Sequence, residues 1–237
     1  MIKYREISGF IFLKKLLKEL KQLLKIGIPI YGSQISYMGM GVTDTIVAGQ
    51  ASALDLSGLA IGNALSFPIY FLLGGCLFAV TPIVAQLFGA RKYTEIGQKV
   101  REILWVSFAI GLIGFIAYRN LSFFIPFFDI DQDIAIISDG YLKAMSYGFV
   151  ANMIFTCLRC CSEGMGLTLP VFWVAFIGML LNIPLDIIFV YGYFGIPSMG
   201  GVGCGIATSI NVTIELLVLI LILLKKKDYL PIELFSK

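Results

Sequence analysis

Five side chains in this sequence could do chemistry, and all five sit in runs that otherwise read as lipid-soluble. Asn182 and Asp186 stand four residues apart within Leu180–Phe189, so they share one face of a helix. Pro184 lies between them and lacks an N–H, which leaves the carbonyl of Leu180 without its usual partner. The expectation is three oxygen-bearing groups at one level of one helix. Asp44 stands in the first apolar run, and Thr208 and Glu215 stand in the last. Thr208, Asn211 and Glu215 fall at i, i+3 and i+7, and lipid on all sides would not suit such a stripe. An ionisable residue inside a membrane is costly, and its usual justification is an ion or proton path. Two carboxylates brought together repel, so the pair must share a proton or hold a cation. Oxygen-only ligands suit sodium or a proton better than zinc or copper.

Other chemistries find little support. There is no histidine, which removes most hydrolase and metalloprotease mechanisms, and the expectation is no enzyme and no cofactor. Cys157, Cys160 and Cys161 are close enough to suggest a metal cluster, but without histidine or a second cysteine pair they read as packing thiols. The glycines at 201, 203 and 205 lack the strand and lysine of a phosphate loop. A net charge of +3 gives no reason to expect nucleic acid.

The elements that must position these residues are membrane helices. Of 237 residues 58% are hydrophobic and 14% charged, and the mean hydropathy is +0.90. The apolar runs reach the roughly 20 residues needed to span a bilayer, and they are continuous rather than alternating, which favours helices over a barrel. Residues 1–25 carry leucines at helical spacing with lysines between them, and lack the core of a cleavable signal. They read either as a basic amphipathic helix on an anionic membrane face or as a solvated tail. Residues 26–225 hold six spans, at about 26–47, 59–87, 103–117, 136–160, 171–191 and 204–224. Pro29 suits the first turn of the first. Pro68, Gly74 and Gly75 should bend the second. Lys99 and Arg101 should lie in a basic loop after it, and Asp129, Asp131 and Asp133 in an acidic loop after the third. Arg159 and Glu163 read as an ion pair at a helix end. Residues 226–237 form a tail.

Lys and Arg crowd the amino terminus, residues 89–101, the turn near Arg159 and residues 225–227. Both termini are therefore expected in the cytoplasm, in a multi-pass protein of the inner membrane. At 1.5 Å per residue, Asp44 then lies about 5–8 Å below the outer surface, Asp186 about 8–13 Å and Thr208 about 6–12 Å. Asp44 and Asp186 are expected to meet there in a wet cavity.

The residues that carry this reading also carry a likeness. Gly41–Gly49, Thr81–Arg91, Glu163–Gly164, Asn182–Gly192 and Gly200–Thr208, in that order, resemble the multidrug and toxic compound extrusion (MATE) transporters of the MOP superfamily, with the NorM-type branch nearest. The likeness runs from about residue 25 to 224. It implies an all-α bundle of six transmembrane helices equal to one lobe of such a transporter. It also implies an antiporter that exports organic cations and drugs in exchange for sodium or protons. Asp44 matches the family's first-helix aspartate, Asn182 and Asp186 its fifth-helix pair, and Thr208 its sixth-helix threonine. In that reading Asp44 and Asp186 carry the exchangeable charge, with sodium possible at Asp44, Asn182 and Asp186. Pro29 resembles a family proline where the first helix bends, and Pro184 is a second hinge by analogy.

Asn211 and Glu215 depart from the family pattern. Glu215 could extend a proton path inward or only pair with a neighbour. The family has two six-helix lobes with the drug path between them. This chain is expected to be the first, with Asp228–Lys237 opening the linker to a second lobe supplied by another chain or another copy. Two rival expectations are a truncated fragment that transports nothing and a flippase for lipid-linked oligosaccharides. The flippase would favour basic residues deep in the bundle, whereas the spans carry only Lys143 and Arg159.

Overall fold

A computed structural model describes residues 2–128 and 130–232, with side chains from residue 15 onward apart from those of 128 and 230. The structure is built from α1 (Ile2–Ala51), α2 (Ala53–Gly74), α3 (Val80–Gly89), α4 (Tyr93–Asn120), α5 (Gln132–Gly164), α6 (Thr168–Tyr191) and α7 (Gly201–Lys225). Short 3-10 segments occupy Gly75–Ala79, Leu121–Phe128 and Lys227–Ile232. The helices α2 and α3 continue one another through Gly75–Ala79, so the described residues form six long helical units. Five of these are long and apolar enough to span a membrane: Ala53–Gly89, Tyr93–Phe127, Gln132–Gly164, Thr168–Tyr191 and Gly201–Lys225. The sixth unit, α1, is not among them, because Ser33, Gln34, Ser36, Thr43 and Asp44 dilute its apolar residues.

The helix α5 is the axis of the fold. Two-thirds of its span is buried, against 22–39% for the other four. It packs against α2, α3, α4 and α7, while α6 packs against α1 and α7. The outer helices turn Leu72, Trp105, Ile116 and Leu221 outward, as a bundle solvated by lipid requires. Small residues set the closest approaches. A Cβ on Gly148 of α5 would lie 2.7 Å from the Cα of Ser209 on α7, so the two backbones meet there. The Ser209 hydroxyl donates to the Ala144 carbonyl at 2.8 Å and accepts from the Gly148 N–H at 3.2 Å. On α1, Gly32 and Gly39 receive Phe172 and Met179 of α6.

The ends of α1, α2, α6 and α7 near the candidate site are tied together. Ser52 caps α2, its hydroxyl accepting from the Asp55 N–H at 2.9 Å, and Asp55 Oδ1 accepts the Gly201 N–H at 2.6 Å. The Tyr191 hydroxyl donates to the Val47 carbonyl at 3.3 Å. The helix α6 stops at Gly192, whose φ of +79° is left-handed backbone that favours glycine.

Several boundaries differ from those expected. The basic segment and the first span form one helix without a break, about 75 Å long at 1.5 Å per residue. Pro29 therefore lies well inside α1, not in a first turn. Leucines 16, 17, 20, 23 and 24 are all exposed, so none of the described residues covers that stripe. The long second run changes to tighter 3-10 winding at Gly75–Ala79, which divides α2 from α3. The helix α4 begins ten residues before the expected third span and takes in Lys99 and Arg101. Lys99 pairs with Glu102 at 2.8 Å across one turn, a helical use of charges expected in a loop. The stretch after α4 is an apolar 3-10 segment, and Asp131 caps α5; Asp129 lies outside the described residues. In the tail, Tyr229 and Ile232 fold back onto the core with Ile96, Val100 and Cys161.

Candidate functional site

Helices α1, α6 and α7 bring four of the expected residues into one buried cluster. Asp44 lies seven residues before the end of α1, Asp186 five before the end of α6, and Thr208 seven after the start of α7. At 1.5 Å per residue these are depths of about 7–11 Å, so neighbouring helices deliver all three side chains to one level. The Asn182 Nδ2 group donates to Asp44 Oδ1 at 2.8 Å and to Asp186 Oδ2 at 2.6 Å. The Thr208 hydroxyl donates to Asp44 Oδ2 at 3.3 Å. One Asn182 amide thus bridges the two carboxyl groups, and two acids held this way repel unless a proton or a cation joins them. Asn182 Oδ1 and Asp186 Oδ1 are buried and have no partner. The cluster thus holds two acids, no base and two vacant oxygen lone-pair sites. A proton or a small hard cation would balance it.

The cluster is closed to water. Asn182 and Asp186 are fully buried and Asp44 is 5% exposed, so the expected wet cavity is absent in this conformation. Thr208 alone also touches open space, a cavity of about 30 Å³ shared with Tyr118, Gly148 and Ser209, room for a single water. The Leu180 carbonyl does not join the cluster. Leu180 and Pro184 lie on the exposed face of α6, whereas Asn182 and Asp186 face inward, because positions two apart are turned by about 200° on a helix. The helix continues through Pro184. Pro29 leaves its own carbonyl accepting from the Ser33 hydroxyl at 3.0 Å.

Two neighbours had no signal in the sequence. Tyr141 of α5 is buried in a core cluster with Val47, Ala48 and Cys204, next to the site, and its hydroxyl donates to Asn63 Oδ1 at 2.8 Å. The Cys204 thiol meets the Asp44 carbonyl oxygen at 3.7 Å, which makes it a contact of the site and not only a core filler. The remaining buried thiols, Cys157, Cys160 and Cys161, are free, and no group of three metal-ligating side chains occurs among the described residues.

Glu215 does not reach this cluster. It lies seven residues further along α7, 4% exposed, with its carboxyl group against the backbone of Gly178. Arg159 and Glu163 do form the expected pair, at 3.2 Å, but with Arg159 buried and Glu163 half-buried, where a helix-end pair would be solvated.

The sequence matches the MatE family over residues 29–188. The chain belongs to that family. It is 37% identical over 219 residues to the multidrug resistance protein NorM of Vibrio cholerae, covering 92% of this chain and 48% of NorM. It is 39% identical over 197 residues to the multidrug resistance protein MdtK of Yersinia enterocolitica, covering 83% of this chain and 43% of MdtK. Among solved structures, the eukaryotic MATE transporter AtDTX14 shares the fold with a TM-score of 0.83 at 18% identity, covering 93% of this chain and 49% of that one. An outward-facing MATE family transporter of the MOP superfamily matches with a TM-score of 0.73 at 19% identity, covering 88% and 46%. The chain thus spans about half the length of the MATE relatives it matches, as one lobe would. It is a MATE-family membrane protein, not an enzyme.

Proposed function

We propose that this MATE-family chain is the coupling lobe of a cation-driven antiporter that exports organic cations, including drugs, across the cytoplasmic membrane. The observation that carries the reading is the buried pair Asp44 and Asp186, bridged by one amide and lacking any base. Such a site binds one proton or one sodium ion and has no other evident use. Asp44 and Asp186 carry the exchangeable charge, while Asn182 and Thr208 complete the coordination. The closed, dry arrangement suits an occluded, proton-loaded state. Opening towards either side would let the ion exchange with water, and a shift in α1 or α6 at Pro29 or Pro184 is the proposed movement.

Because the chain spans half the length of its relatives, its substrate path requires a second six-helix lobe, from another chain or a second copy. Both termini are assigned to the cytoplasm by the crowding of Lys and Arg at that end. Multidrug resistance is what the names of NorM and MdtK state, and organic cations are extended to this chain by that relationship.

The test is efflux of a fluorescent organic cation from cells or vesicles carrying the completed assembly, driven by an imposed proton or sodium gradient. Asp44→Asn with Asp186→Asn should abolish driven efflux. Undiminished efflux would remove the site from the mechanism. A chain that remains monomeric and transports nothing would favour the inert fragment.

A further inference from the structure

A second polar cluster lies in the same three-helix seam, about 10 Å from the first. Seven residues separate Asp44 from Tyr37 on α1, and seven separate Thr208 from Glu215 on α7, each a rise of about 10.5 Å. The two helices run in opposite directions, so both steps lead towards the end of the bundle that carries the 90–92 turn, the 165–167 turn and residues 226–232. Between the two levels Met40 of α1 meets Asn211 of α7, with the Asn211 amide 3.6 Å from the Met40 sulfur. Thioether and amide together separate the upper carboxyl pair from the lower cluster.

The lower cluster is one positive charge short. It contains two carboxyl groups, Glu163 and Glu215, and one guanidinium, Arg159. Arg159 is committed to Glu163 at 3.2 Å and lies over the Tyr37 ring, 5.8 Å from its centroid. It is the charged side chain whose field reaches Glu215, but it donates no hydrogen bond to it. Glu215 Oε1, Asn211 Oδ1 and the Tyr37 hydroxyl are all buried without a partner. The helix α1 presents Tyr37 and α5 presents Arg159 and Glu163. From α2, Tyr70 reaches Tyr37 and Arg159, and α6 meets Glu215 with Gly178. In the 227–232 segment Tyr229 faces Cys161. None of these supplies a second cation. An uncompensated carboxylate at 4% exposure is costly, and a proton removes that cost with one bond to one oxygen. A metal ion would need a shell of several oxygens beside a guanidinium of like charge.

We propose that Glu215 is a second proton-binding group of this lobe, distinct from the Asp44–Asp186 pair and separated from it by the Met40–Asn211 contact. Protonated, Glu215 is neutral and packs against Gly178. Deprotonated, it is a carboxylate facing Arg159, which makes Arg159 the counter-charge for that state. The proposal rests on the antiport reading for its purpose but not for its test.

That test is infrared spectroscopy of the purified full chain in lipid nanodiscs, following the stretching band of protonated carboxyl groups at neutral pH. Isotope-labelled glutamate should displace one component of the band, and Glu215→Gln should remove that component while leaving the helical circular dichroism intact. Asp44→Asn with Asp186→Asn should remove a different, aspartate component while a glutamate component persists. Absence of any glutamate component at neutral pH overturns the proposal without recourse to a variant. So does a glutamate component that persists in full in folded Glu215→Gln. If the aspartate variants keep driven efflux while the glutamate band remains, the antiport reading fails and the Glu215 assignment stands.

Discussion

Replacing Asn182 by leucine should destabilise the fold in a pH-dependent way. The substitution keeps the branched shape and heavy-atom count of the side chain but removes the one amide that donates to both Asp44, at 2.8 Å, and Asp186, at 2.6 Å. Hydrogen bonds to charged groups are worth about 1.5–3 kcal/mol each, so two give about 3–6 kcal/mol. Within membrane bundles the measured average is only about 0.6 kcal/mol, because polar groups find other partners in the unfolded state, and two then give about 1 kcal/mol. The loss should fall between these bounds. It should shrink at acid pH, because a proton on either carboxyl supplies a donor in place of the lost amide. Asp44→Asn in the Asn182→Leu background should restore part of the stability by the same route, with a coupling of about 0.5–3 kcal/mol. The assay is reversible unfolding of the purified chain in mixed micelles at several pH values. A loss below about 0.5 kcal/mol at neutral pH, or one that grows on acidification, would refute the reasoning that the amide holds two acids together.

Three further outcomes follow from the same geometry. Asp44→Asn with Asp186→Asn should unfold at the same temperature as the parent or higher, because two buried acids without a base are replaced by neutral groups, and thermal scans would show it. Gly148→Val should cost about 1–3 kcal/mol or more, since its Cβ would lie 2.7 Å from the Ser209 Cα and neither helix can yield without opening the α5–α7 seam; a size-exclusion profile before and after heating reads this. Pro29→Ala and Pro184→Ala should leave the circular dichroism unchanged yet slow driven efflux, and normal efflux would dismiss both as hinges.

The site was legible from the sequence because it depends on two simple periodicities. Asn182 and Asp186 share a face by their spacing, and Asp44 and Thr208 join them because counting residues from the ends of the runs gives similar depths. What could not be read was direction around the helix axis. Pro184 looked like part of the site because it lies between the two polar residues in sequence, yet it faces outward, as does Leu180. Hydropathy located the crossings but not their ends, because a helix continues past its apolar stretch wherever charges pair along it, as Lys99 and Glu102 do on α4. Nothing in composition marks whether α1 should break near residue 25, since a basic helix and a spanning helix have the same backbone. Tyr141, Tyr37 and Met40 acquire their places only when α5, α6 and α7 close around α1, and no local pattern in their own helices announces that.

The two buried clusters are mechanically joined by α6. Its Asn182 and Asp186 hold the upper carboxyl pair, and one to two turns away its Gly178 leaves the space that the Glu215 carboxyl fills. The helix is clasped along its length by α1 and α7, which carry the opposing groups at both levels. Adding or removing a proton at the upper pair changes whether Asp44 and Asp186 attract or repel, and so changes the force between α1 and α6. That force acts on the seam closed lower down by Met40 and Asn211. A shift of α6 that opens the upper pair therefore alters the packing around Glu215 as well, since packed helices move as units and not as independent side chains. Coupling between the two levels then has a definite signature. In spectra of the full chain, the aspartate variants should alter the position of the glutamate carboxyl band without abolishing it, whereas two independent sites would leave that band unmoved.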